Sequence, residues 1–205
     1  MEILAHHARI LPGYPFRKAL KQSDTGPVLV VQPKDVGEFK YRKLWTGSLY
    51  LFSPAASVER YRIYNGDVLF LARAFKDHAI LVQGLPENRP VIASGQFFIL
   101  RPHRETVRAE YLVWYLNQAP TCSYFLGMGG TSTIPYVRQD ILRCTPMDVP
   151  ALDVQQRIVK IANLWQMEKE LVRRHMELRE RMIATVCFAA VDGSYGEIEN
   201  DTTTD

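Results

Sequence analysis

Two hydrophobic rhythms divide this chain near Pro150. Before it, short apolar runs rich in branched and aromatic residues alternate with Gly, Pro, Asn and Asp, the pattern of strands bounded by turns. They predict strands at Pro27–Val31, Ser48–Phe52, Asp67–Ala72, Ala79–Val82, Pro90–Ala93 and Gln96–Leu100, with a tight turn at Asn65-Gly66-Asp67. Tyr111, Leu112, Tyr115 and Leu116 share one face of a helix over Ala109–Gln118, which Pro120 is expected to end. A shorter helix is expected at Val137–Arg143, followed by an extended Cys144–Leu152. There is no regular strand–helix–strand alternation, so the expected class is α+β, a mixed twisted β-sheet domain followed by one long coiled-coil-like helix.

The second rhythm is helical. No Gly or Pro appears between Asp153 and Gly193. Asp153 offers an N-cap, with Gln156 as its capping-box partner. Ile161, Leu164, Leu171, Leu178 and Met182 recur at steps of three and four or their multiples, Glu168 and His175 fill the intervening seam positions, and Val154, Ile158, Trp165 and Val172 broaden the stripe. A helix from Asp153 to about Ala189 would be roughly 55 Å long. That exceeds what a domain of this size can cover, so Ile158, Ile161, Leu164, Trp165, Leu171, His175, Leu178 and Met182 are expected to meet a partner, a second copy of the chain among them. Docking back onto the same chain is the alternative. The expected organisation is a recognition domain over 1–150, a spacer and dimerisation helix over 151–191, and a disordered acidic tail over 192–205.

Charge adds to this picture. The 205 residues hold 25 Lys and Arg against 22 acids, but five of those acids lie after Val191, where there is no Lys or Arg. The remainder is clearly basic, which suits a polyanionic partner and equally suits ordinary solubility. No apolar run approaches the roughly 18 residues of a membrane span, and the opening residues lack the layout of a secretion signal. A cytoplasmic protein without membrane contact is therefore expected. Cys122, Cys144 and Cys187 form no Cys-x-x-Cys pair, and the five His have no ligand spacing beyond the adjacent His6-His7. Neither metal nor cofactor is expected.

Several segments offer candidate chemistry. Arg17 and Lys18 follow the turn Gly13-Tyr14-Pro15-Phe16 and can reach phosphates. The predicted strand Asp67–Ala72 leads to Arg73 and Lys76, where a guanidinium can pair with guanine or phosphate; a solvated hairpin tip is the alternative. Phe125-Leu126-Gly127-Met128-Gly129 spells part of an S-adenosylmethionine loop, but no apolar strand ending in an acid precedes it, and no Asn/Asp-Pro-Pro-aromatic tetrad is present. The hydroxyls of Thr131, Ser132 and Thr133 suit contacts to phosphates or base edges instead. Glu38-Phe39-Lys40 has the spelling of a nuclease metal site without its partner Asp. With no Walker loop, no Gly-x-Ser-x-Gly and no placed Cys/His pair, an enzyme is not expected.

In order, Gly13-Tyr14-Pro15-Phe16-Arg17, Tyr61 with Asn65-Gly66-Asp67-Val68-Leu69-Phe70, Glu110–Leu116, Gly130–Ile134 and Asp148–Ile158 resemble the target-recognition domain of a DNA specificity (S) subunit of type I restriction–modification systems. The resemblance spans about Pro12 to Met182. It implies that Gln32, Lys34, Arg73, Lys76 and Thr131–Thr133 lie near double-stranded DNA and that the long helix docks methyltransferase subunits. On that reading Arg17, Lys18 and Lys34 position the backbone, Gln32, Arg73, Lys76 and Thr131–Thr133 read bases, and Tyr136 and Arg138 lie nearby. Full S subunits carry two such domains and two helices, whereas this sequence carries one of each, so a homodimer would rebuild the whole. The competing readings are a defence-complex interaction module that reads no DNA and a stand-alone DNA-binding regulator.

Overall fold

The computed structural model describes residues 2–16, 26–36, 49–54, 57–74, 78–128 and 136–191. The chain divides into two units, Met1–Lys160 and Ile161–Asp205.

In the first unit the strands are β1 (Glu2–Ile3), β2 (Ala8–Pro12), β3 (Val28–Val31), β4 (Tyr50–Phe52), β5 (Val68–Leu71), β6 (Ala79–Leu81), β7 (Val91–Ala93), β8 (Phe97–Pro102) and β9 (Pro146–Met147). The helices are α1 (Ala109–Leu116), α2 (Ala119–Met128), α3 (Gln139–Arg143) and α4 (Leu152–Val191), of which α4 continues into the second unit. The strands form an antiparallel sheet β2-β8-β5-β6, a mixed sheet β4-β3-β7 and the antiparallel pair β1-β9. The class is α+β, and the mixed pairing is confined to β3, which runs antiparallel to β4 and parallel to β7.

Side-chain alternation explains the layering. Ala8, Ile10, Val68, Phe70, Phe98 and Leu100 point to one face of the larger sheet and pack with Leu112, Leu116, Phe125 and Leu142 of the helices. Their neighbours Leu69, Phe97 and Ile99 point to the opposite face, against Val31, Val91 and Ala93 of the smaller sheet. Covered on both faces, β5 reads as an unbroken apolar run, Val-Leu-Phe-Leu, and does not alternate. Each such side chain contributes about 1.5–3 kcal/mol through burial. The outer face of the smaller sheet gathers Val28, Val30 and Ile92 with Tyr14, Phe16, Phe52 and Tyr61.

The structure differs from the sequence expectation in several places: β1, β2 and β9 are additional strands, α3 begins at Gln139 and not at Val137, and α2 and the start of α4 depart as follows. Pro120 does not end the helical region; it occupies the first turn of α2, where a missing N–H costs no hydrogen bond. Helix α4 begins at Leu152, so Asp153 lies in the first turn and not at the cap, and its carboxylate accepts from Arg157 at 3.0 Å. Gln156 is likewise no capping-box partner; its side-chain oxygen accepts from Arg108 at 3.3 Å.

In the second unit α4 continues to Val191, and its 40 residues in all give a length of about 60 Å. Ile161, Leu164, Trp165, Leu171, Val172, Leu178 and Met182 are each more than half exposed, as are Met176 and Ile183. No described helix is long and apolar enough to cross a membrane. The acidic tail expected over 192–205 lies outside the described residues.

Candidate nucleic-acid interface

One end of the two larger sheets collects most of the described candidate residues. A belt of main-chain hydrogen bonds builds it. Ser94 N–H donates to Val31 O at 2.9 Å, Tyr14 N–H to Ala93 O at 2.8 Å, and Gly13 N–H to Phe97 O at 2.9 Å. From the same turn, Gln96 O accepts from Ala72 N–H at 3.0 Å, and Ala72 O accepts from Val137 N–H at 2.8 Å. The belt therefore ties the ends of β2, β3, β7 and β5 to the start of the α3 segment. Gly13 is required by it: a Cβ there would lie 2.1 Å from Ser94 O.

The side chains on this belt have distinct settings. Arg73 pairs with Tyr136 in an isolated antiparallel bridge, and its guanidinium lies 5.5 Å from the Tyr136 ring centroid, a cation–π contact. Arg138 precedes α3 and pairs with Asp140 at 3.0 Å, both side chains largely exposed. Gln139 anchors that helix by donating from Nε2 to Ile10 O at 3.1 Å. On the β3 side, Asp35 accepts from Gln32 N–H at 2.8 Å and returns its own N–H to Gln32 O at 2.9 Å, closing the turn that carries Lys34. Burial pushes the Asp35 carboxyl above its ordinary value, opposed by the Gln32 N–H and the Lys34 charge. Gln32 Nε2 is buried with no partner among the described residues. Lys34 is exposed, its ammonium 3.1 Å from the Tyr50 ring centroid.

Gln32, Lys34, Arg73, Tyr136 and Arg138 are thus brought to one end. Arg17, Lys18, Lys76, Thr131, Ser132 and Thr133 lie outside the described residues, as does Glu38-Phe39-Lys40. The hairpin that leads toward Lys76 is braced from behind: Asn117, at the end of α1, accepts from Ala79 N–H at 2.9 Å and donates to Ala79 O at 2.8 Å. Asn117 thereby satisfies backbone groups of the edge strand β6, a role with no local signal in sequence.

The root of α4 is a second built feature. Gln155 is fully buried; its Nε2 donates to Thr106 O at 2.9 Å and Pro150 O at 2.7 Å, and its Oε1 accepts from Arg108 N–H at 2.9 Å. Tyr111 clamps the preceding segment by donating to Asp148 O at 2.8 Å, and burial pushes its phenol up to about 12. Ile158 packs in part against the helix-side core, unlike the exposed Ile161, Leu164, Trp165, Leu171, Leu178 and Met182. His175 is exposed as well. Among the described residues no three His, Cys, Asp or Glu side chains gather as a metal site.

No protein-family model matches the chain, and no curated protein matches it. Solved structures do. A structure from work on complex assembly and conformational transition of the type I R-M system aligns with 94% of this chain and 44% of its own, at 18% identity and a TM-score of 0.68. The HsdS subunit from Thermoanaerobacter tengcongensis aligns over 84% of this chain and 38% of its own, at 19% identity and a TM-score of 0.59. The S subunit of a type I restriction–modification system from M. genitalium covers 95% and 46% respectively, at 10% identity and a TM-score of 0.51. The fold is therefore that of S subunits of type I restriction–modification systems, in a chain spanning less than half the length of each of these three structures.

Proposed function

We propose that this chain is a non-catalytic, sequence-specific DNA-recognition subunit that directs a separate methyltransferase to its target, within a cytoplasmic restriction–modification or related phage-defence system. The observation that carries the reading is the gathering of Gln32, Lys34, Arg73, Tyr136 and Arg138 on one hydrogen-bonded end of the head. The planar donor Arg73 suits base edges and Lys34 and Arg138 suit phosphates, whereas Gln32 Nε2 is buried as the head stands and would have to turn outward to donate to a base. Arg17, Lys18, Lys76, Thr131, Ser132 and Thr133 belong to the same proposed interface by their place in the sequence.

The long helix supplies the rest of the proposal. Leu164, Leu171, Leu178 and Met182 form one exposed apolar line, and Ile161, Trp165, Val172, Met176 and Ile183 form another, with Glu168 and His175 between them. Two lines are wider than one two-helix seam requires. That width favours two partners, which we assign as a second copy of this chain and a methyltransferase subunit. Two antiparallel copies would supply two heads and two helices and would read an interrupted palindrome.

The test is to purify the native complex and map methylated motifs in cells with and without this chain. The reading expects a co-purifying methyltransferase, a dimer of this chain by light scattering, and a two-part motif that vanishes on deletion. An unchanged methylation map together with a strict monomer would refute it.

A further inference from the structure

The end of the larger sheet opposite Arg73 carries a second concentration of positive charge. Arg9 of β2 and Arg101 of β8 stand directly opposite each other in the antiparallel register. Arg101 clasps the buried Asp67, just before β5, through two hydrogen bonds of 2.9 Å. Like charges facing each other across a strand pair destabilise a sheet, so this pairing has a cost. Asp67 pairs with Arg101, and Glu59 lies 3.6 Å from Arg62 in a more exposed ion pair. Among the described residues neither Arg9 nor Arg104 has a carboxylate partner, and Arg104 reaches Asn65 O at 3.4 Å. Gly66, at φ +94°, leaves the room: a Cβ there would stand 3.0 Å from Arg104 Nη2. A cleft of about 280 Å³ opens between this turn, Arg101 and Arg104. Tyr64 projects beside it with the guanidinium groups of Arg62 and Arg101 at 5.2 and 4.8 Å from its ring centroid.

We infer that Arg9, Arg62, Arg101 and Arg104 form a sequence-independent contact for the phosphate backbone of DNA, separate from the end that carries Arg73. The inference rests on the DNA-recognition reading above. Guanidinium forks match phosphate oxygens: Arg101 and Arg104 line the cleft, Arg9 stands across the strand pair from Arg101 and Arg62 lies against the Tyr64 ring, a spread of positive charge that suits a polyanion. A protein partner would need an apolar centre, yet Tyr64 is the one large exposed apolar side chain in this cluster and guanidinium groups flank its ring. From Asp67 to Arg73 the chain advances by about 20 Å at roughly 3.3 Å per residue. That is about six base pairs at 3.4 Å each. A duplex touching both ends would have its bases read at one and only its backbone held at the other.

The experiment compares the full chain, with any co-purifying subunit, against the double variant Arg9→Ala/Arg104→Ala and the charge-retaining Arg9→Lys/Arg104→Lys. Binding to labelled duplexes of specific and random sequence is followed across a salt series, with thermal unfolding as the folding control. The alanine pair should lower affinity equally for all sequences and make the slope of log affinity against log salt shallower by roughly two, while the lysine pair restores it. Wild-type affinity and slope in a folded alanine variant would overturn the inference and leave the DNA-recognition reading intact. Loss of a co-purifying protein with DNA binding unchanged would overturn it too, making the patch a protein surface. Wild type that binds no duplex even at low salt would instead bring down the underlying reading.

Discussion

The side-chain oxygen of Gln155 accepts the backbone N–H of Arg108 at 2.9 Å, so a residue in the first turn of α4 caps the entry to α1. The same amide donates to Thr106 O and Pro150 O, leaving all its hydrogen-bonding groups used in a fully buried place. Gln155→Ala would strand a backbone donor and two acceptors, each costing about 1–3 kcal/mol if left unmade and buried. Denaturant unfolding should show a loss of a few kcal/mol. Gln156→Ala, one residue along and exposed, should show almost none.

Gly13 offers a comparable test at the opposite end. Its missing Cβ is where Ser94 O comes closest, so Gly13→Ala cannot be accommodated without parting β2 from the Ser94–Gln96 turn. The expected result is a drop in melting temperature accompanied by weakened binding to every DNA sequence. A variant that melts and binds as wild type would mean that the belt does not hold the interface.

The contrast between these two sites shows what the sequence made legible. Strands β3 to β8 stood out because branched apolar runs end at Gly, Pro, Asn and Asp. Helix α4 stood out because nothing interrupts it. Strand β2 did not, since Arg9 and Pro12 break its apolar pattern and its pairing with β8 depends on residues far along the chain. Helix α2 was hidden by Pro120, which stops a helix from within but is tolerated in a first turn. Arg73 and Tyr136 were each singled out as single residues, but the bridge between them arises only when Val137 reaches Ala72. Likewise the Arg9–Arg101–Asp67 row is a product of register, which local composition does not encode.

Base-reading and backbone-positioning roles separate in a binding assay. Arg73→Ala should cost roughly 1–3 kcal/mol on the preferred duplex and relax preference at one base pair. Lys34→Ala should weaken all duplexes alike and flatten the salt slope by about one. Competition with singly substituted duplexes measures both. Identical profiles for the two variants would refute the division of labour.

The exposed apolar lines of α4 predict a separable assembly function. Leu171→Asp places a charge in the line of Leu164 and Leu178 without touching the described core of the head. Hot-spot residues in interfaces cost about 2 kcal/mol or more when lost, so self-association should weaken by at least roughly thirtyfold. Light scattering over a concentration series gives that shift, and far-ultraviolet circular dichroism checks that helix content is retained. Val172→Asp, on the other line, should spare the dimer and weaken methyltransferase capture if the lines serve different partners.

Asp35 provides the pH-dependent test. Burial raises its folded-state carboxyl above the unfolded value of 3.8, so folding disfavours the ionised form. The unfolded chain then releases this proton at lower pH than the folded one. Stability linked to the group is present below the unfolded value and lost as pH rises through the folded one. At neutral pH Asp35 is therefore a cost that its hydrogen bond to Gln32 N–H only partly offsets. Asp35→Asn keeps an acceptor for that N–H and removes the charge. It should raise the melting temperature at pH 7, and the gain should shrink as pH falls through the folded-state value and level off well below 3.8, where the wild-type carboxyl is neutral in both states. An asparagine variant less stable than wild type at pH 7 would show that the ionised carboxylate, despite its burial, holds the turn carrying Gln32 and Lys34 in place.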